Sequence, residues 1–291
     1  MAQEIEQLLH AERLPHIWCP GCGIGIVTGA FLRALLSLGV KREEAVLVSG
    51  IGCSSRAANY VDLGTVHSIH GRALAVATGI KMAKPGFTVV VFTGDGDGAA
   101  IGGNHLIHAC RRNIDLTCIL FNNQTYGMTG GQTSPTMSIG DISTTARHGQ
   151  VEPPFDLCRL TEAAGASYVA RGTAGHIREL EKLIKRGIEH KGFSFIEAVV
   201  PCPTEYGRRN ISGNVLKMLE DERSRSIAKS KADKLPADEL AGKIVTGVIF
   251  ENTKAPEFQE TYAATVRVQA EMAARKQQAL AVEKPPMGQQ K

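Results

Sequence analysis

Five short runs of the chain are almost wholly apolar: AVLVSG (45–50), FTVVVFTG (87–94), LTCILFNN (116–123), SYVAR (167–171) and FSFIEAVV (193–200). Their length and their content of β-branched and aromatic residues predict strands, and the lack of apolar–polar alternation predicts strands covered on both faces. Between them, at 24–39, 73–83, 102–113, 155–165 and 176–190, apolar residues recur with helical spacing. Strand–helix alternation of this kind predicts an α/β fold, a doubly wound and mostly parallel sheet whose ligands belong at the carboxyl ends of the strands.

Two regions break the alternation. Residues 123–149 form a long Gly/Thr/Ser-rich loop, and loops of that length inside a compact domain are functional or disordered. From about residue 205 the chain carries charged helical stretches (VLKMLEDERSRSIAKSKADK), an apolar GKIVTGVIFE and a Gln/Lys-rich end. The reading is therefore a ligand-binding domain over 1–204 and an arm over 205–291 that contacts a partner.

Composition narrows the class. With 291 residues, 43% hydrophobic and 21% charged, the chain is globular and not disordered by default. No apolar signal segment opens it and no run approaches eighteen apolar residues, so a cytoplasmic protein without a membrane span is expected. The net charge of +4 is spread along the chain without dense basic blocks, which argues against nucleic acid. In a reducing compartment, Cys19 and Cys22 of WCPGCGIG (18–25) point to metal binding or redox chemistry and away from a structural disulfide.

TGDGDGAAIGGN (93–104) closes the second strand. Its glycines let the backbone approach a ligand, and the helix that follows offers free N–H groups to an anion, but Asp95 among those donors would repel a phosphate. A hard divalent cation such as Mg²⁺ shared between carboxylate and diphosphate removes the conflict. The next strand ends in FNNQTYG, so Asp-Gly after one strand and Asn-Asn after the next, with helix and strand between, gives the register of a thiamine diphosphate site. A P-loop and a G-x-G-x-x-G fingerprint are both missing, which disfavours P-loop and nicotinamide enzymes.

Taken together, WCPGCG, SGIGCSS (49–55), HSIHGRALAVATGIK (67–81), the long motif 94–132 and PCPTEYG (201–207) closely resemble the β subunits of 2-oxoacid:ferredoxin oxidoreductases over residues 15–210. The resemblance implies oxidative decarboxylation of a 2-oxoacid with coenzyme A, electrons passing from thiamine diphosphate through one [4Fe–4S] cluster to ferredoxin. It implies an α subunit that completes the active site in an (αβ)₂ assembly, and it favours 2-oxoglutarate over pyruvate or branched-chain acids. Cys19, Cys22, Cys53 and Cys202 are the implied cluster ligands; Cys110, Cys118 and Cys158 lie in helix or strand patterns and read as core. Asp95, Asn123 and the Thr125 carbonyl are the implied Mg²⁺ ligands. Gly52, Ser54, Gly94, Gly96, Asp97, Tyr126, Gly127, Met128 and Thr129 are the expected cofactor contacts, Asp97 having a helix cap as its alternative. His70 is expected near the reacting centre. Arg56, where the family often has Lys, could grip the distal carboxylate of 2-oxoglutarate bidentately or instead pair with an Asp or the diphosphate. Two other classes stay open: a thiamine-dependent decarboxylase or synthase subunit whose cysteines are structural, and a non-enzymatic subunit in which the four cysteines hold zinc.

Overall fold

The computed structural model describes residues 2–282; the Gln/Lys-rich end from residue 283 lies outside them. In chain order the helices are α1 (Ala2–Glu6), α2 (Gly23–Ser37), α3 (Ala73–Ala83), α4 (Gly103–Arg112), α5 (Leu157–Ala163) and α6 (Ile177–Glu189). They continue as α7 (Arg208–Asn210), α8 (Val215–Arg225), α9 (Lys229–Ala232) and α10 (Phe258–Val282). The strands are β1 (Ala45–Ser49), β2 (Gly64–His67), β3 (Thr88–Gly94), β4 (Thr117–Asn122), β5 (Thr125–Tyr126), β6 (Gln132–Thr133), β7 (Tyr168–Thr173), β8 (Ser194–Val199), β9 (Ser226–Ala228) and β10 (Ile244–Glu251).

Eight strands form one sheet in the order β2-β1-β3-β4-β8-β7-β10-β9. The pairs from β2 to β7 are all parallel, as the continuous apolar runs predict. Successive residues of β3 show why both faces are apolar. Val90 and Phe92 point into the layer made with α2 and α6, whereas Val89 and Val91 point into the layer made with α3, α4 and α5. Phe92 is fully buried, with Phe31 of α2 at 5.0 Å and Phe121 of β4 at 4.9 Å between ring centroids, both edge-on. Cys110, Cys118 and Cys158 are buried in the second layer, and burial raises each thiol's pKa.

Residues after 205 are woven into this body. GKIVTGVIFE becomes β10, antiparallel to β7 with an irregularity between Val248 and Phe250, and β9 runs beside it. Helix α8, opened by the Asn214 side chain on the amides of Leu216 and Lys217, packs Val215 over Gly21 and Met218 over Gly207. By contrast α10 leaves the body, and its described side chains from Glu260 to Gln278 are exposed. Strand β2 and the β5–β6 hairpin were not predicted; each is short and lacks an apolar run.

Phe92→Ala deletes a ring that joins a helix layer to the sheet at its centre. It should cost about 3–5 kcal/mol in urea unfolding; a loss below about 1 kcal/mol would mean that the two layers are not bound through this residue.

Candidate active site

The sheet reverses its winding beside β3. The connection leaving β1 goes outward to β2, whereas that leaving β3 crosses to β4 on the other side, so the loops after β1 and β3 diverge. The cleft that opens there is the crevice in which doubly wound folds bind ligands. Gly52, Cys53, Ser54, His70, Gly94, Asp95, Gly96, Asp97, Asn123, Thr125, Tyr126, Gly127, Met128 and Thr129 all line it. Segments 75 residues apart in sequence thus meet at one strand-end crevice.

Asp95 and Asp97 are both buried, at 2% and 3% exposure, and their surroundings differ. Asp97 Oδ1 accepts from the amides of Ile51 (3.2 Å) and Gly71 (2.7 Å) and lies 2.5 Å from His70 Nδ1. Its Oδ2 accepts from Thr93 Oγ1 at 2.6 Å. Four protein donors hold this carboxylate, so Asp97 anchors the surrounding loops while it also lines the cleft. The helix-cap alternative falls to Asp95, whose Oδ1 accepts from the Gly96 amide at 2.9 Å. Asp95 Oδ2 accepts from Ser134 Oγ and Thr136 Oγ1, each at 2.7 Å. Only neutral donors hold it, and burial pushes its carboxyl up to about 6. A divalent cation would supply the missing positive charge, and Asn123 and Thr125, on the adjacent turn, line the same cleft.

Two glycines are fixed by these contacts. A Cβ at Gly50 would stand 1.9 Å from Asp97 Oδ2, and one at Gly96 would stand 2.2 Å from the Tyr126 ring, whose hydroxyl donates to the Gly96 carbonyl at 3.2 Å. His70 is anchored through Nδ1, and its ring stands edge-on to Tyr126, 6.4 Å away.

Cys19, Cys22, Cys53 and Cys202 line a second cavity together with Trp18, Pro203 and Glu205. The two cavities share Ile24, Cys53, Asn123, Gly127 and Met128. A Cβ at Gly127 would lie 3.5 Å from Cys53 Sγ and 3.7 Å from Cys202 Sγ, so the wall here is one backbone thick. All four thiols are free; Cys19 is exposed and Cys202 buried. Burial pushes Cys22 up to about 12 and Cys53 up to about 11, with neighbouring thiols adding to the effect. Such thiols need a strongly positive centre to ionise. The four sulfurs line one cavity, and four thiolates are the donor set that either an iron–sulfur cluster or a tetrahedral zinc takes.

Arg56 lines neither cavity. Residues Ser54–Asn59 form a 3₁₀ helix, in which positions three apart eclipse, so Arg56 reaches along the helix to Asn59. The Asn59 amide oxygen, turned towards the guanidinium, accepts from Nη1 and Nη2 at 3.3 and 3.0 Å, while the buried Nε has no hydrogen-bond partner. The sequence reading also missed residues that hold the site. Ser134 and Thr136 belong to the loop whose length marked it as functional. Trp18, the chain's one tryptophan, donates from Nε1 to the Cys53 carbonyl at 2.7 Å; its place directly before Cys19 was the available signal.

Comparison with known proteins agrees with this geometry. The family model for the thiamine pyrophosphate enzyme C-terminal TPP-binding domain matches residues 20–198. A 2-oxoglutarate synthase subunit KorB of Methanocaldococcus jannaschii is 54% identical over 252 residues, covering 87% of this chain and 93% of its own. A 2-oxoacid:ferredoxin oxidoreductase β subunit of Saccharolobus solfataricus is 42% identical over 189 residues, 64% of this chain and 62% of its own. The solved 2-oxoglutarate:ferredoxin oxidoreductase from Magnetococcus marinus, with 2-oxoglutarate, coenzyme A and succinyl-CoA bound, superposes with a TM-score of 0.82 at 33% identity, over 97% of this chain and 96% of that one. The fold and site thus define a thiamine pyrophosphate enzyme, and within that class the chain belongs to the KorB family of 2-oxoacid oxidoreductase subunits.

The unequal settings of the two carboxylates give an order of effects. Asp95→Ala should abolish Mg²⁺-dependent thiamine diphosphate binding in calorimetry. Asp97→Ala should weaken it less, and Gly50→Ala, which displaces Asp97, should resemble Asp97→Ala. Protonation of Asp95 competes with the cation, so Mg²⁺ affinity should fall as the pH drops through about 6. The reverse order of the two alanine variants would assign the metal to Asp97.

Proposed function

We infer that this chain is the β subunit of a 2-oxoglutarate:ferredoxin oxidoreductase, forming succinyl-CoA and CO₂ from 2-oxoglutarate and coenzyme A. The observation that carries the reading is the shared wall: a cleft ending in a cation-poor buried carboxylate abuts, through Gly127 and Cys53, a cavity ringed by four cysteines. That adjacency suits an electron donor in one cavity and an acceptor in the other, which neither a decarboxylase with structural cysteines nor a zinc-stabilised interaction subunit requires.

When bound, thiamine diphosphate supplies the electron sink for decarboxylation, and a [4Fe–4S] cluster accepts and passes on single electrons. The chain's own residues do the rest. Asp95, Asn123 and the Thr125 carbonyl would hold Mg²⁺, and Gly94, Gly96 and Tyr126 to Thr129 shape the cleft that would take the diphosphate. His70, oriented by the contact of its Nδ1 with Asp97, faces the same cleft. Cys19, Cys22, Cys53 and Cys202 hold the cluster, with Trp18 fixing the Cys53 backbone.

Exposed Ile51 (39%), Ile69 (72%), Ile101 (49%) and Met128 (46%) belong to the loops that border the cleft. Such a rim suits burial under another chain, in keeping with an α subunit that closes the active site and an (αβ)₂ assembly. Ferredoxin is the proposed electron acceptor. Among the described residues no helix is long and apolar enough to cross a membrane, and a cytoplasmic location accords with thiolate ligands kept reduced.

Anaerobically purified protein should be brown and hold about four irons per chain. Cys53→Ala and Cys202→Ala should bleach it, while Cys118→Ala, buried in the sheet, should not. Zinc in place of iron would overturn the cluster, and a colourless complex that decarboxylates without reducing ferredoxin would favour the decarboxylase reading. Turnover of 2-oxoglutarate, pyruvate and a branched-chain 2-oxoacid by the assembled complex tests the substrate.

Because Arg56 faces Asn59 and neither cavity, Arg56→Leu should lower kcat/KM equally, if at all, for 2-oxoglutarate and for 2-oxobutyrate, which lacks the distal carboxylate. A loss confined to 2-oxoglutarate would return Arg56 to substrate recognition.

A further inference from the structure

Behind the cleft runs a chain of polar contacts that the reaction does not directly use. Asn122, the last residue of β4, is 9% exposed and sits between three groups. Its Nδ2 donates to Glu197 Oε1 of β8 at 2.7 Å. Its Oδ1 lies 2.8 Å from Thr136 Oγ1, whose single proton is shared between this oxygen and Asp95 Oδ2 at 2.7 Å. The same Oδ1 accepts from the Gln124 amide at 3.2 Å. Gln124 has φ +60°, a left-handed conformation uncommon outside glycine, and it is the hinge of the turn that carries Asn123 and Thr125 into the cleft. One amide therefore touches both halves of the cation site: Asp95 through Thr136, and the Asn123–Thr125 turn through Gln124.

The orientation of that amide is set from behind. A carboxylate accepts only, so Glu197 obliges Asn122 to face it with its NH₂ and to face Thr136 and Gln124 with its carbonyl. Glu197 is 3% exposed and is itself held by Arg171 Nε, which donates to Oε2 at 2.7 Å; Arg171 Nη2 extends the chain to Asp156 at 2.8 Å. A buried ion pair is a poor way to gain stability, because desolvation offsets most of its attraction, but it can select one arrangement over others.

We propose that the Glu197–Arg171 pair positions the divalent-cation site, acting through Asn122 on Asp95 and on the Asn123–Gln124–Thr125 turn. Neither Glu197 nor Arg171 lines the cofactor cleft. They hold the groups behind the ligands, as hydrogen-bond partners beyond the ligands do in other metal sites, where their loss typically lowers metal affinity roughly 10- to 100-fold. The proposal rests on the Mg²⁺–diphosphate reading of the cleft, and its test separates the two.

The experiment titrates Mg²⁺ at fixed thiamine diphosphate and follows cofactor binding calorimetrically in the complex assembled with its partner subunit, with iron content and thermal midpoint measured on the same samples. Glu197→Gln keeps the shape but sets an amide against Arg171 or Asn122. It should raise the Mg²⁺ concentration needed for half-saturation at least about tenfold while leaving the iron content unchanged. Thr136→Val, which breaks the relay at its other end, should shift Mg²⁺ affinity in the same direction and serves if Glu197→Gln fails to fold. Lys81→Met is the control for general destabilisation. Lys81 forms an equally buried pair with Asp115, 2.8 Å away, at the opposite end of the sheet, and its loss should lower the thermal midpoint without moving the Mg²⁺ dependence. Wild-type binding that ignores Mg²⁺ would overturn both the cation reading and this inference. Mg²⁺-dependent wild-type binding would leave the reading standing and overturn the inference alone if Glu197→Gln and Thr136→Val stay within about twofold of wild type, or if Lys81→Met shifts the Mg²⁺ dependence as far as they do.

Discussion

Two carboxylates buried two residues apart cannot share one source of compensation, and the architecture of the site follows from how each is satisfied. Asp97 draws its donors from three loops, after β1, after β2 and from the end of β3, and so ties those loops together. Asp95 receives two hydroxyls and backbone amides, which orient it without neutralising it. Ionising a buried carboxylate without a counter-charge costs free energy, which is why burial raises this one. The glycines around the turn answer to the same pair: Gly50 makes room for Asp97, and Gly96 lets Tyr126 close over the turn.

The topology makes this arrangement possible. With parallel strands, every carboxyl end from β1 to β8 faces the same edge of the sheet, so residues 49–54, 94–97, 122–129 and 199–203 converge although they lie far apart in sequence. The first three build the cleft and the last brings Cys202 to the neighbouring cavity. The opposite edge is free for structural polar pairs such as Lys81–Asp115, which can be lost without touching the site.

Much of this was legible in the sequence, for identifiable reasons. Strands covered on both faces must be apolar throughout, so β1, β3, β4, β7 and β8 stood out; β2, four residues with an exposed edge, had no such constraint and did not. The residues that line the cleft were legible because close approach to a ligand demands glycines and metal binding demands carboxylates at fixed spacing. What could not be read was direction. Asp95 and Asp97 are alike in the sequence, and only the structure separates their sets of donors. Arg56 could be read as facing substrate because its one-dimensional neighbours include Cys53; the 3₁₀ geometry that sends it to Asn59 has no distinctive pattern. The apolar GKIVTGVIFE could equally have covered a partner, and it is the free edge of β7 that draws it into the sheet.

The wall between the two cavities sets a demand of its own. On the proposed reading it must be thin, so that electrons can pass through it, and firm, so that no gap admits water to the reacting centre. Gly127 keeps it thin: the space beside its backbone ends at Cys53 and Cys202 Sγ, and any side chain larger than a methyl would push into the sulfurs. Firmness comes from either side. Trp18 clasps the Cys53 carbonyl and stacks edge-on against Tyr60 at 5.2 Å, and the Gly131 amide bonds back to the Tyr126 carbonyl to close the turn that contains Gly127. The long Gly-rich loop is thus no loose connection. Its first residues are the partition, and its later ones, Ser134 and Thr136, hold Asp95, so a single segment couples the geometry of the partition to that of the buried carboxylate.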